Sequence, residues 1–261
     1  ETSTRLWLKA LAASDEGKGI KPDAALFQRV QRVLADSSAS RTHMDVLTNN
    51  APALVAVLSN AESPQRTALT ATFDGALSRL QLDNTLSRAD RLGALIARVQ
   101  LARIGQGKNT TQPKMPESLQ REAAAMVGAM DRDITDGYER QAVITAGAYL
   151  LGEAGLWADS NALLKGNLAR SHSPYYLMSQ LAGNARKLGQ KDEALRWYQQ
   201  AFDRSEGPAT RLQWGASYVQ AMIELAPDDE PRIEGAALQL FKEAARDKAS
   251  SHERSARSLQ R

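Results

Sequence analysis

Apolar residues recur at three- and four-residue intervals along almost the whole chain, the period of a helix with one buried face. Leu26, Phe27, Val30, Val33 and Leu34 form one such stripe, and Leu69, Phe73, Ala76, Leu77 and Leu80 a second. Leu92, Leu95, Ile96 and Val99 form a third, opened by Ser87 with Asp90 three positions on, a capping box with Asp in place of Glu. The pattern stops between Gly105 and Pro116, where Gly, Asn, Thr and Pro predict a loop. It resumes with Leu119, Ala123, Met126, Met130 and Ile134, and Asp136 with Glu139 predicts a second capping box opening a helix that runs through Tyr149 to Glu153. Val, Ile and aromatic residues, the strand formers, are sparse, and the pattern predicts an all-α chain. The expected organisation is an irregular helical subdomain over 1–105, a linker loop over 106–116 and a repeat subdomain over 117–261.

The second half repeats itself. Leu151, Gly155, Asp159, Ser160, Leu164 and Asn167 return 34 positions later as Ala185, Gly189, Glu193, Ala194, Tyr198 and Ala201. Ser173-Pro174 returns as Gly207-Pro208, and Ala148, Ala182 and Ala216 share one phase. A period of about 34 residues is that of tetratricopeptide helix hairpins. Gly ends the first helix in the left-handed region, a small residue lets the second helix approach, and proline opens the next helix where a missing N–H is harmless. The expected fold is an α-solenoid of antiparallel helix hairpins, tetratricopeptide-like in the C-terminal half. A third unit drifts: its turn, Ala226 to Pro231, falls late, and its second helix is expected over 232–246 with Ile233, Ala237, Leu240 and Phe241 inward. Terminal repeats often depart from the period because they cap the stack.

Composition supports the helical reading. Alanine and leucine dominate, both good helix formers, and aromatics make up 5% of the chain. The chain has no cysteine, which excludes disulfides, thiolate catalysis and Cys-ligated zinc within it. The net charge of +3 is spread through mixed signs. The densest basic stretch, Arg246, Lys248, Arg254, Arg257 and Arg261, is interrupted by Asp247 and Glu253 and has no interleaved aromatics, so a nucleic-acid partner is not expected. No apolar run approaches the ~18 residues of a membrane span, and a soluble protein is expected. The start, Glu1-Thr-Ser-Thr4, lacks an initiator Met and a signal-peptide pattern, as in a processed chain or a fragment of a longer one.

Chemistry-bearing motifs are scarce. The three histidines, His43, His172 and His252, have no ligand-like spacing, and His43 with Asp45 reads as a surface or capping pair. Gly17-Lys-Gly19 matches neither phosphate-binding nor dinucleotide patterns. No nucleophile elbow occurs. Asp228-Asp-Glu230 lacks the EF-hand alternation and suits a helix N-terminus. Asn109-Thr-Thr111 is a formal glycosylation sequon. No catalytic residue, metal site or cofactor is expected. In tetratricopeptide arrays the first helix of each hairpin lines the concave groove; by phase Tyr149, Tyr176, Gln180, Gly183, Gln213 and Ser217 face or border it, and Arg211 and Trp214 join them as candidate binding residues. Aromatic and arginine side chains dominate binding hot spots, so Tyr176, Arg211 and Trp214 are candidate anchors for a protein or peptide. The alternative is that Tyr175, Trp214 and Tyr218 pack between repeats while Arg211 serves an ion pair.

Several stretches resemble a known family. Arg140-Gln-Ala-Val-Ile144, Ala148-Tyr-Leu-Leu-Gly-Glu-Ala-Gly-Leu156, Ser171-His-Ser-Pro-Tyr-Tyr176, Ala194-Leu-Arg-Trp-Tyr198 and Gly207-Pro-Ala-Thr-Arg-Leu-Gln-Trp-Gly215 carry the likeness, with Pro227-Asp-Asp229, Arg232-Ile-Glu234 and Ser87 to Leu95. Together they resemble the helical C-terminal region of bacterial exported thioredoxin-family proteins. The resemblance implies a thioredoxin domain elsewhere, attached or separate, and a periplasmic or otherwise exported setting. The thiol pair of that family has no counterpart here, so no catalytic residue carries over. Three readings stay open: a non-catalytic module binding a protein or peptide, a helical-fold lyase or hydrolase, and a structural dimerisation domain.

Overall fold

A computed structural model describes residues 2–17, 19–107 and 109–246, without the side chains of Asp15, Glu16 and Arg246. Among the described residues all regular structure is helical, with no strand. The basic tail beyond Arg246, with His252, lies outside the described residues. The chain divides into two compact units: 1–134 with 149–156, and 135–148 with 157–261. The division expected at the 106–116 loop therefore differs from the one observed. That segment is held inside the first unit, where Gln106 brackets Lys114 through both its amide oxygen and nitrogen and Arg103 donates to the Thr110 carbonyl.

The first unit contains α1 (Thr2–Ala12), α2 (Ala24–Ala35), α3 (Ser37–Thr42), α4 (Met44–Leu58), α5 (Pro64–Leu82), α6 (Arg88–Ala102) and α7 (Glu117–Asp133). Helix α4 runs through its core, burying Val46, Leu47, Ala51, Leu54 and Val55 against Leu8, Leu11, Val30 and Leu34. The α5 stripe Leu69, Phe73, Ala76, Leu77 and Leu80 is buried as its spacing requires. At the helix starts Asp23 accepts from Leu26 N, Ser63 from Arg66 N, and Ser87 Oγ accepts from Asp90 N while donating to the Asp90 carboxylate at α6. His43 departs from expectation. It occupies the position before α4 but is buried, and its Nδ1 has no partner among the described residues. Asp45 instead pairs with Arg5. The histidine is therefore enclosed at the start of α4 rather than on the surface.

The second unit is a run of helices: the 137–148 part of α8 (Gly137–Glu153), α9 (Trp157–Asn167), α10 (Pro174–Lys187), α11 (Lys191–Arg204), α12 (Pro208–Leu225) and α13 (Glu230–Arg246). From α9 onward each helix packs against the next. Asp136 accepts from Glu139 N, the forward bond of the expected box, and Asp229 accepts from Arg232 N at the start of α13. Gly189 turns the chain in the left-handed region, at φ 73°, and Gly155, in the first unit, does the same at φ 78°. A Cβ at Gly155 would also stand 2.8 Å from Pro113 Cδ, whereas one at Gly189 would meet nothing within 4 Å. The small residues of the repeat, Ser160 and Ala194, are fully buried; Ser160 Oγ donates to the Ala148 carbonyl and accepts from Asn184 Nδ2. The third unit differs in its second helix. Ala236 and Leu240 face inward with Ile233 packed beside them, while Phe241, expected inward, is 64% exposed. The buried stripe of α13 thus runs through Ala236 and Leu240, one position before Ala237 and Phe241.

Candidate functional site

The aromatic residues of α10 and α12 come together at the helix starts. Pro174 and Pro208 occupy the first turns and bring Tyr175, Tyr176 and Trp214 onto neighbouring turns. Tyr175 and Tyr176 have ring centroids 5.0 Å apart, Tyr176 meets Trp214 edge-to-face at 5.4 Å, and Tyr175 lies 6.3 Å from Trp214. Such tilted and T-shaped pairs suit the ring quadrupoles. Within this cluster the side chains differ in access. Trp214 is 9% exposed and Tyr175 is buried, and both belong to one core cluster with Tyr218, Phe202 and Met222. Tyr176 is 40% exposed and carries the cluster to the surface. Trp214 Nε1 is buried without a hydrogen-bond partner among the described residues, unusual for an indole N–H.

The other groove candidates have separate surroundings. The Arg211 guanidinium is consumed by structure: it pairs with Glu243 at 2.9 Å, donates to the carbonyls of Phe202, Asp203 and Ser205 at the end of α11, and lies over the Phe202 ring at 5.2 Å. A cation there also suits the negative end of α11. Gln180 is half-buried and donates from Nε2 to the Thr145 carbonyl, tying α10 to α8. Gln213 is half-buried, and its carbonyl accepts from Ser217 Oγ. Tyr149 belongs to the first unit, 44% exposed, with its hydroxyl accepting from Gln100 Nε2 at 3.1 Å. Burial and the Glu153 carboxylate hold that hydroxyl above its ordinary pKa, against the Gln100 hydrogen bond.

A cleft in the first unit escapes sequence reasoning. It has a volume of about 980 Å³ between α5 and the start of α7, over the end of α6. Arg66, Thr70 and Asp74 share one face of α5; Leu101 and Ala102 lie beneath; Leu119 and Glu122 form the α7 side. Arg98, largely buried, bridges the walls, donating from Nε to Asp74 at 2.8 Å and from Nη1 to Glu122 at 2.9 Å, with Gln81 bonded to both Arg98 and Glu122. Burial alone works against the charge on Arg98, but the two carboxylates outweigh it and raise its pKa. The carboxylates therefore meet on a shared cation and do not form the bare like-charged pair of an acid–base dyad. At the other end Glu62 is the one non-glycine residue with positive φ among the described residues, at 57°. The Asp74–Arg98–Glu122 set that marks this cleft is spread over three helices and has no local spacing.

Among the described residues no three histidine, cysteine or carboxylate side chains gather in a metal-binding arrangement, and no helix is long and apolar enough to cross a membrane. Comparison with protein-family models, with curated proteins and with solved structures finds no match to this chain.

Proposed function

We propose that this chain is a non-catalytic helical-repeat module that binds a protein or peptide, with Tyr176 as an anchor at the surface of the second unit. The observation that carries this reading is the exposed Tyr176 ring, held at 87° to a buried Trp214. A rigid aromatic with few rotatable bonds, supported from beneath, loses little entropy on binding and is the commonest kind of hot spot. Gln180 and Gln213 flank the same helices, while Arg211 and Trp214 act as framework, held by Glu243 and by the core. The tetratricopeptide-like solenoid is part of the proposal. The glycine turns 34 residues apart, at Gly155 and Gly189, and the buried small residues Ser160 and Ala194 support it. So is the setting beside an exported thioredoxin-family protein, which rests on the sequence stretches quoted above.

The test is a binding screen of the intact chain against an array of immobilised peptides, repeated with Tyr176→Ala. An anchor residue weakens binding by about 1–3 kcal/mol while the melting temperature holds. Unchanged binding across all peptides that the wild type retains would remove Tyr176 as the anchor. A self-association lost with Tyr176→Ala in light scattering would instead make the surface a homodimer contact.

A further inference from the structure

The cleft of the first unit has a chemistry of its own, independent of the Tyr176 surface. Its volume, about 980 Å³, lies at the top of the ~300–1,000 Å³ range of small-ligand pockets. Arg66 and Asp74 stand eight residues apart on α5, ~12 Å at ~1.5 Å per residue. An extended chain covers that length in about four residues at ~3.3 Å each.

The charges in the cleft are not equally free. Arg66 is turned to the end of α4, donating to Ser59 Oγ and to the carbonyls of Ala56 and Ser59. Arg98 is taken by Asp74, Gln81 and Glu122. The carboxylates keep capacity to spare. Glu62 makes no hydrogen bond or ion pair among the described residues, and the side chains of Asp74 and Glu122 remain 43% and 35% exposed beside Arg98. Three carboxylates therefore face two committed guanidiniums, an acidic excess within a chain of net charge +3. Between the charged ends lie Ala71, Leu101, Ala102 and Leu119, which offer apolar contact.

We propose that this cleft binds a short peptide segment in which a lysine or arginine is set among apolar residues. The cation lies against Asp74 Oδ2, the oxygen that Arg98 leaves unbonded, beside the part-exposed Glu122 carboxylate, and the apolar residues lie on Leu101, Ala102 and Leu119. Glu62 receives a second basic side chain, or the chain's own amino terminus, at the far end. The apolar floor distinguishes such a segment from a free polyamine, whose attraction is charge alone.

The experiment uses the full chain and a fluorescein-labelled hexapeptide alternating leucine, alanine and lysine, with a counterpart in which glutamate replaces each lysine. Fluorescence anisotropy measures both. The lysine peptide is expected to bind and the glutamate peptide not to bind, with affinity falling as salt rises past about 0.15 M. Ala71→Trp fills the cleft from an exposed position and is expected to weaken binding about tenfold, equivalent to ~1.4 kcal/mol. Thr67→Trp serves if that variant does not melt like the wild type. Glu62→Gln is expected to weaken binding several-fold, and Tyr176→Ala not at all, which separates this site from the aromatic surface. Equal binding of the two peptides overturns the proposal. So does wild-type affinity in a folded Ala71→Trp or Thr67→Trp variant, competition by spermine at the peptide's own concentration, or loss of binding with Tyr176→Ala.

Discussion

Replacing Gly215 with alanine would set a methyl group 2.8 Å from Leu240 Cδ1 and 2.9 Å from two carbons of the Phe202 ring. Carbon atoms rest at ~3.5–4.0 Å, so the new atom enters the repulsive range of both neighbours. Leu240 offers the end of a flexible side chain, but Phe202 is fully buried and its ring cannot retreat without moving α11. Overpacking of this kind costs about 1–3 kcal/mol. Alanine also favours a helix interior over glycine by ~1 kcal/mol, which opposes the clash. Gly183 supplies the control. It lies in α10, and a Cβ there would meet nothing within 4 Å. Gly183→Ala should therefore stabilise by ~0.5–1 kcal/mol through the backbone alone. The propensity gain is common to both variants, so the difference between them isolates the clash at ~1–3 kcal/mol. Urea denaturation followed by far-ultraviolet circular dichroism, with slopes checked for equality, measures that difference. If Gly215→Ala is as stable as Gly183→Ala, the close approach of α12 to Phe202 and Leu240 is wrong.

Three further tests address the second unit. Ala194→Leu should overpack the α10–α11 contact by about 1–3 kcal/mol, and Gly189→Val should lose a similar amount because a β-branched residue resists positive φ; wild-type melting of both would refute the hairpin geometry. Arg211→Ala should lower stability by ~1.5–3 kcal/mol, since it leaves Glu243 and the α11 carbonyls without their charged donor, and chemical denaturation reads the loss. Glu193 accepts from Trp197 Nε1 and pairs with Lys165, and these two effects, the indole bond foremost, lower its pKa against a smaller desolvation effect. A depressed carboxylate contributes stability above its unfolded pKa and loses it as pH falls through the folded one. The melting-temperature gap between wild type and Glu193→Gln should accordingly be present near neutral pH and close in acid.

What the sequence disclosed was local physics. The stripes at Leu69–Leu80 and Leu92–Val99, the boxes at Ser87 and Asp136, and the glycine turns at 155 and 189 each depend on neighbours within one helical turn or on one backbone angle, so spacing reveals them. Orientation at the ends was less legible. Phe241 follows Ala237 at the spacing of a buried stripe, yet the buried positions are Ala236 and Leu240, and spacing alone does not choose between the two sets. His43 looked like a surface residue because nothing in its sequence neighbours signals its burial. The candidate surface was partly legible: Tyr176 and Trp214 are near each other by repeat phase, but which of them reaches solvent depends on packing against Phe202 and Met222. The cleft was not legible at all, because Glu62, Asp74, Arg98 and Glu122 meet only through tertiary structure.

The two glycine turns differ in what inheritance permits them. At Gly189 the requirement is the backbone angle alone, and asparagine, which visits that region at modest cost, is an acceptable descendant there. At Gly155 the pyrrolidine ring of Pro113 occupies the space a side chain would need, so the angle and the volume are both restricted. Drift at 155 therefore requires a coordinated change at 113, whereas drift at 189 does not. Among related chains, the position equivalent to 189 should vary freely between glycine and asparagine, and the one equivalent to 155 should change only when the proline is lost with it.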